Sequence, residues 1–195
     1  MSHLLVPLGD GHTELPEEDR LGLIPTHIAT RGELFEAEQR NITEALLRRP
    51  PTLVRLLDDM YLRDLHKAMF CQVWEWAGRY RLRETNIGIG PHDIPSEVRE
   101  LVESAKSWVE YSTYEADELA VRFHHRLVTI HPFSNGNGRH SRIAADYLVR
   151  LLGRRPFSWG DGLAVDTPGL RAAYLQSLKR ADQGEIAGLV AFARS

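Results

Sequence analysis

Apolar residues recur at helical spacing along most of this chain, and that period restricts the fold more than any other feature. Ala116, Ala120, Phe123, Leu127 and Ile130 share one face of a helix over about 116–130. Ile143, Ala144, Tyr147, Leu148 and Leu151 share a face of another over about 138–152. The same period predicts helices over 30–48, 53–76, 96–111 and 185–192. A further helix is expected to begin at Pro168 with Thr167 as its cap. Thr30 and Glu33 form a capping box, Leu34, Glu38, Ile42 and Ala45 fall on one face behind it, and Pro50 and Pro51 end that helix. In 53–76 the core candidates are Leu56, Met60, Leu65, Met69 and Val73, with Trp74 and Trp76 packing at its end. Residues 79–95 break the pattern: Asn86-Ile-Gly-Ile-Gly-Pro combines turn and β-branched residues, which predicts a short hairpin. The expected fold is an all-α bundle with one small β-hairpin.

A length of 195 residues allows one domain with a sizeable core. Residues 1–29 read as an N-terminal arm and 30–195 as the folded domain. The net charge of −3 supplies no global field that would draw the chain to nucleic acid or to an anionic membrane. No stretch approaches the length of a transmembrane helix, and the first apolar run is too short for a signal peptide. Cys71 is the only cysteine, so no intrachain disulfide can form; set in an apolar stretch, it reads as a buried thiol. A cytoplasmic location is the matching expectation.

The chemistry concentrates in His131-Pro-Phe-Ser-Asn-Gly-Asn-Gly-Arg-His-Ser-Arg142, between two strong helical patterns. Gly136 and Gly138 permit backbone conformations closed to other residues and let a bulky ligand approach the main chain. Free N–H groups at the start of a helix form an anion nest, reinforced by the helix dipole. Arg139 and Arg142, three residues apart, project from neighbouring positions on the first turn. Two guanidiniums above such a nest describe a polyphosphate site. His131 stands beside it as a base for neutral pH. A cradle and a base without a built-in nucleophile suggest transfer of a phosphoryl-type group to an external hydroxyl.

This segment resembles the signature of Fic proteins, His-Pro-Phe-x-Asp/Glu-Gly-Asn-Gly/Lys-Arg, at His131, Pro132, Phe133, Gly136, Asn137, Gly138 and Arg139, with Arg142 as the second arginine of many members. FHHRLVTIHPF, the region around Asn86-Ile87 and the tail QGEIAGLVAF extend the resemblance over about 30–193. LIPTHIATRGEL and VWEWAGRYR resemble the bacterial subgroup called mobile mystery protein B. The resemblance implies a Fic-type helical bundle with a β-hairpin flap. It also implies transfer of AMP from ATP to a Ser, Thr or Tyr hydroxyl of a target protein. His131 would be the base, Phe133 the loop anchor, and Asn137 with the 136–138 backbone the α-phosphate site. Arg139 would bind the β- and γ-phosphates, and Arg142 the γ-phosphate or an inhibitory glutamate. The hairpin, with Asn86, Ile87 and Gly88, would register the target as an added strand. Asn135 stands where the signature places an acidic Mg²⁺ ligand, and offers an oxygen without the charge.

Many Fic proteins also carry an inhibitory helix, Ser/Thr-x-x-x-Glu-Gly/Asn. Aligned on it, the helix over 30–48 makes Glu38 the inhibitory residue and Arg142 its partner, with Leu34 and Gln39 departing from the pattern. His124 and His125 read as structural, whereas His140 and Ser141 are placed to touch ribose or phosphate. Arg79, Arg81, Arg83 and Glu84 either meet the target or protect an edge strand. The cradle alone leaves other donors open, giving UMP, phosphoryl or phosphocholine transfer. A different class, a non-catalytic ATP-binding or toxin–antitoxin module with an antitoxin or helix-turn-helix regulator as partner, remains the alternative.

Overall fold

A computed structural model describes residues 20–160 and 168–195. The helices are α1 (Arg31–Leu46), α2 (Leu53–Leu56), α3 (Asp59–Phe70), α4 (Ile94–Glu110), α5 (Ala116–Ile130), α6 (Asn137–Leu151), α7 (Pro168–Asp182) and α8 (Ile186–Arg194). The α5–α6 pair is central: α4 and α8 pack on α5, while α2 and α3 pack on α6. Phe123, Leu127 and Ile130 of α5 are buried with Ile143, Ala144 and Leu148 of α6. Each of the larger ones stabilises the fold by about 1.5–3 kcal/mol through burial. No described helix is long and apolar enough to cross a membrane.

α1 begins as its sequence dictates: Thr30 Oγ1 accepts the Glu33 N–H at 3.2 Å, and Glu33 Oε2 accepts the Thr30 N–H at 2.9 Å. Its buried face, with Ala37, Glu38, Asn41, Ile42 and Ala45, packs on α3. The single helix expected over 53–76 is broken. Leu57 leaves the helical region (φ −86°, ψ 56°), and Asp58 starts α3 afresh by accepting the Tyr61 N–H at 3.0 Å. The restart re-phases the chain, so Met60 is 54% exposed while Leu56, Leu65, Met69 and Val73 remain core. Leu151, in the last turn of α6 before the chain turns at Gly153, is likewise 38% exposed and not core. Cys71 is half-buried at the end of α3. Turns over 71–79 carry Trp74 into the core with Trp76 stacked on it, ring centroids 4.9 Å apart.

The predicted hairpin does not form. Residues 80–93 are irregular, and the β-type pairing among the described residues is one antiparallel bridge between Leu23 and Trp74. The hydrogen-bonding groups of that loop are spent elsewhere. The Arg81 N–H donates to Pro132 O at 2.9 Å, the Ile89 N–H to Ile130 O at 3.4 Å, and Ile89 O accepts from the Arg81 guanidinium. Ahead of α1, the Ile24 N–H donates to Val73 O and the Glu75 N–H to Gly22 O, both at 2.9 Å, strapping residues 22–24 across 73–75. Residues 1–19 of the expected arm, and Thr167, lie outside the described residues.

Four buried histidines link this core to pH. Burial holds His124 near a pKa of about 3 and His131 and His140 near about 4, and places His66 well below 6.5. The unfolded chain takes up these protons first, so their neutral burial costs nothing above pH 6.5 and destabilises the fold progressively as pH falls towards 4. Each contributes a slope of about 1.4 kcal/mol per pH unit in that window. Asp146, pushed up to about 6 by burial, opposes them between its unfolded value and pH 6. The expected outcome is a urea midpoint that drops between pH 7 and pH 5; a flat midpoint over that range contradicts it.

Candidate active site

The site is built where α5 ends and α6 begins. His131 ends α5 in the left-handed region (φ 55°, ψ 58°), a conformation that costs a non-glycine residue on the order of 1 kcal/mol. The Arg81 guanidinium holds it there. Arg81 Nε donates to His131 O at 2.7 Å, Nη1 to Arg83 O at 2.8 Å, and Nη2 to Ile130 O at 3.5 Å. A cation on the last carbonyls of a helix satisfies acceptors with no partner inside it. Arg81 is therefore a buried clamp and not a target-facing charge, whereas Arg79, Arg83 and Glu84 are exposed. A Cβ at Gly88 (φ +101°) would lie 2.5 Å from His131 Cβ, so the loop carrying Asn86, Ile87 and Gly88 runs directly against His131 at Gly88. Burial, aided by the Arg81 charge, lowers the His131 pKa to about 4 against a hydrogen bond to the Val128 carbonyl. The imidazole is thus neutral throughout the physiological range.

Phe133 is fully buried and stacks on His66, centroids 3.7 Å apart. Asn137 closes the loop behind it: Oδ1 accepts the Phe133 N–H at 2.9 Å and Nδ2 donates to Phe133 O at 2.7 Å. The Asn137 side chain thus staples the loop, with both its polar atoms engaged on Phe133. Gly136 is the N-cap of α6 (φ +80°), and no side chain caps the helix. The first N–H groups of α6 consequently have no acceptor within the helix. A Cβ at Gly136 would meet the Phe70 ring at 2.6 Å, while one at Gly138 would meet nothing within 4 Å.

Arg139 leans over Phe70, 5.0 Å from the ring centroid, and its Nη2 pairs with Glu38 Oε2 at 2.7 Å. Its Nη1 is buried without a hydrogen-bond acceptor among the described residues. Glu38, 5% exposed, also accepts the Trp74 Nε1–H at 2.7 Å. The partner of Glu38 is thus Arg139 and not Arg142. Three residues along a helix separate two side chains by about 60°, which points Arg139 at α1 and Arg142 at α7. Arg142 stacks 5.4 Å from the Tyr174 ring centroid and donates from Nε to Gly138 O at 3.2 Å.

Other expectations change as well. His140 is fully buried with Nε2 2.8 Å from Leu62 O, and the buried Ser141 bonds Gly138 O at 3.2 Å, so neither faces the cradle. His124 pairs with the Tyr174 hydroxyl at 3.1 Å and His125 with Asp182 at 2.8 Å. Asn135 Oδ1, the oxygen considered for Mg²⁺, accepts the Gly136 N–H at 2.6 Å. No cluster of three or more His, Cys, Asp or Glu capable of holding a metal occurs among the described residues. The donor set does not fit a protein-held Mg²⁺ site. His66 escaped the sequence reading; its only signal was a histidine between Leu65 and Met69 on an otherwise apolar helix face.

The two glycines separate fold from site. Gly136→Ala meets both the positive φ and the Phe70 ring and is expected to destabilise the domain by about 2 kcal/mol or more. Gly138→Ala, in open space within a helix, is expected to stabilise it by about 0.5–1 kcal/mol. Thermal melts of the two variants shifting in the same direction would contradict this geometry.

A family model described as Fic/DOC family matches residues 56–149. The protein adenylyltransferase fic-1 of Caenorhabditis elegans is 32% identical over 119 residues, which are 60% of this chain and 22% of that protein. The chain thus matches about a fifth of that relative's length. The N-terminal Fic domain of a VirB-translocated effector from Bartonella sp. AR 15-3 superposes with a TM-score of 0.69 at 19% identity, covering 91% of both chains. The BepC protein of Bartonella tribocorum, solved with bound AMPPNP, superposes with a TM-score of 0.65 at 19% identity, covering 92% of this chain and 97% of that one. At these identities the solved structures speak to the fold. Residues 56–149 of this chain thus match a Fic/DOC family domain, set in a helical fold shared with solved Fic domains.

Proposed function

We propose that the domain is a protein adenylyltransferase that moves AMP from ATP to a Ser, Thr or Tyr hydroxyl of a target protein. The observation that carries this reading is a set of unmet donors: the uncapped N-terminus of α6 together with the buried, acceptor-less Arg139 Nη1. A polyphosphate satisfies both. His131, neutral and alongside, accepts the hydroxyl proton as the hydroxyl oxygen bonds to the α-phosphorus. The bond from the α-phosphorus to the bridging oxygen breaks, and pyrophosphate leaves. The triphosphate charge is met by Arg139, Arg142 and the backbone N–H groups; among the described residues no cluster of acidic or other metal-binding side chains is present to hold Mg²⁺. The loop at Asn86, Ile87 and Gly88, pressed against His131, is the surface on which the target segment docks.

Glu38 acts as a brake in this scheme. Its carboxylate holds the Arg139 nitrogen Nη2 that the β- or γ-phosphate would use, so ATP competes with an internal anion. One observation favours a second reading, nucleotide binding without turnover: Asn135 brings no charge to a metal, and its oxygen lies on the Gly136 N–H.

Incubation of wild type, Glu38→Gly and the Glu38→Gly/His131→Ala double variant with ATP and a bacterial lysate, read by intact and peptide mass, separates these readings. AMP adducts are expected with Glu38→Gly and to fall by at least about 10²-fold when His131 is removed. Because His131 is already neutral, the rate should be flat from pH 6 to pH 8, without a break near 6.5. ATP binding with no adduct from any form would favour the second reading. Equal adduct yields from wild type and Glu38→Gly would remove the brake.

A further inference from the structure

His66 is fully buried beneath the motif loop, stacked on Phe133. Its ring is held at both nitrogens. The Gly78 N–H is 3.0 Å from Nδ1, and the Asn135 carbonyl oxygen is 3.0 Å from Nε2. A backbone N–H can only donate and a carbonyl can only accept. The tautomer is therefore fixed: Nδ1 accepts, and Nε2–H donates to Asn135 O. Burial, with His140 and Arg139 nearby, keeps the ring neutral, the one state that satisfies both bonds. The Gly78 end is rigid. A Cβ there would strike Lys67 Cβ at 2.7 Å, and Gly78 O accepts Arg63 Nε at 3.1 Å. The ring plane is fixed by Phe133 at 3.7 Å and Phe70 at 4.7 Å.

The consequence reaches the cradle through one peptide plane. In a trans peptide the C=O and the following N–H point in opposite directions. With Asn135 O drawn into the core by His66, the Gly136 N–H must point outward, away from the core. The side-chain oxygen of Asn135 occupies that N–H at 2.6 Å, in the place a phosphate oxygen would take. Gly136, with φ +80° and no room for a Cβ beside Phe70, is free to adopt either peptide orientation unless something outside it decides. We infer that His66 is a positioning residue that sets the Asn135–Gly136 peptide so that the Gly136 N–H becomes the first donor of the phosphate nest. This inference rests on the phosphate-site reading above and concerns how the site is kept formed.

The test uses glutamine and asparagine as halves of the imidazole. His66→Gln places an amide N–H near Nε2 and can still donate to Asn135 O. His66→Asn places its amide near Nδ1, answering Gly78 and leaving Asn135 O without a donor. His66→Phe keeps the stacking and supplies neither bond. Each is made in the Glu38→Gly protein, and ATP affinity is measured by calorimetry beside a thermal melt. His66→Gln is expected to bind ATP within about threefold of the parent. His66→Asn and His66→Phe are expected to bind about tenfold to a hundredfold more weakly, the loss of an oriented donor to a charged oxygen. Should His66→Asn not fold, the comparison of His66→Phe with His66→Gln stands in its place. Equal affinities for Gln and Asn or Phe, or losses that only follow the melting temperatures, would overturn the inference while leaving the phosphate site intact. Failure of the Glu38→Gly parent itself to bind ATP would overturn the phosphate-site reading, and this inference with it.

Discussion

The stack of Phe133 on His66 is the joint between the motif loop and the helical core. α3 supplies both supports beneath that loop. His66 carries Phe133 and the Asn135 carbonyl; one turn later, Phe70 fills the space under Gly136 and lies beneath the Arg139 guanidinium. The loop cannot rely on its own backbone to hold its shape, because two glycines leave it too many conformations. The rigidity comes from a neighbouring helix through aromatic contact and one carbonyl bond, while Asn137 closes the turn from within. Positioning by packed secondary structure is what makes preorganised electrostatics effective.

On the other side of the same arginine, Glu38 joins α1 to α6 and, through Trp74, to the strap formed by residues 22–24. A buried ion pair is weak evidence of stabilisation, since desolvation of the two charges offsets most of their attraction. Under the proposed function, its placement beside the start of α6 sets an internal carboxylate in competition with an external phosphate. The competitor is held by two donors at once, so it leaves Arg139 only when α1, Trp74 or the strap yields as well.

Much of this molecule was legible in its sequence, and the boundary of legibility has a physical form. α5 and α6 fall within a residue of their expected limits because long amphipathic periods decide them. The expectation of an anion site at His131, Gly136 and Arg139 rests on chemistry local to one helix terminus. The break at Leu57 and Asp58 was not legible, since the apolar spacing runs through it and only the Asp58 cap re-phases the chain. The hairpin failed for a reason no turn propensity records: its hydrogen-bonding groups find partners at residues 130–132 and on the Arg81 guanidinium. Arg81, His66 and Asn137 were misread or overlooked because their partners are backbone carbonyls and amides, which carry no sequence signal and, for His66 and Asn135, lie 69 residues apart. The switch of Glu38 from Arg142 to Arg139 likewise depends on which way α6 is rotated against α1.

The left-handed conformation of His131 has a meaning for how such chains age. Every other described residue with a positive φ is glycine apart from Ser112 and Trp159. At 131 glycine or asparagine would sit with less strain. Folding alone would therefore favour those residues at this position. The imidazole at 131 thus occupies a costly backbone state, with a buried arginine committed to holding it.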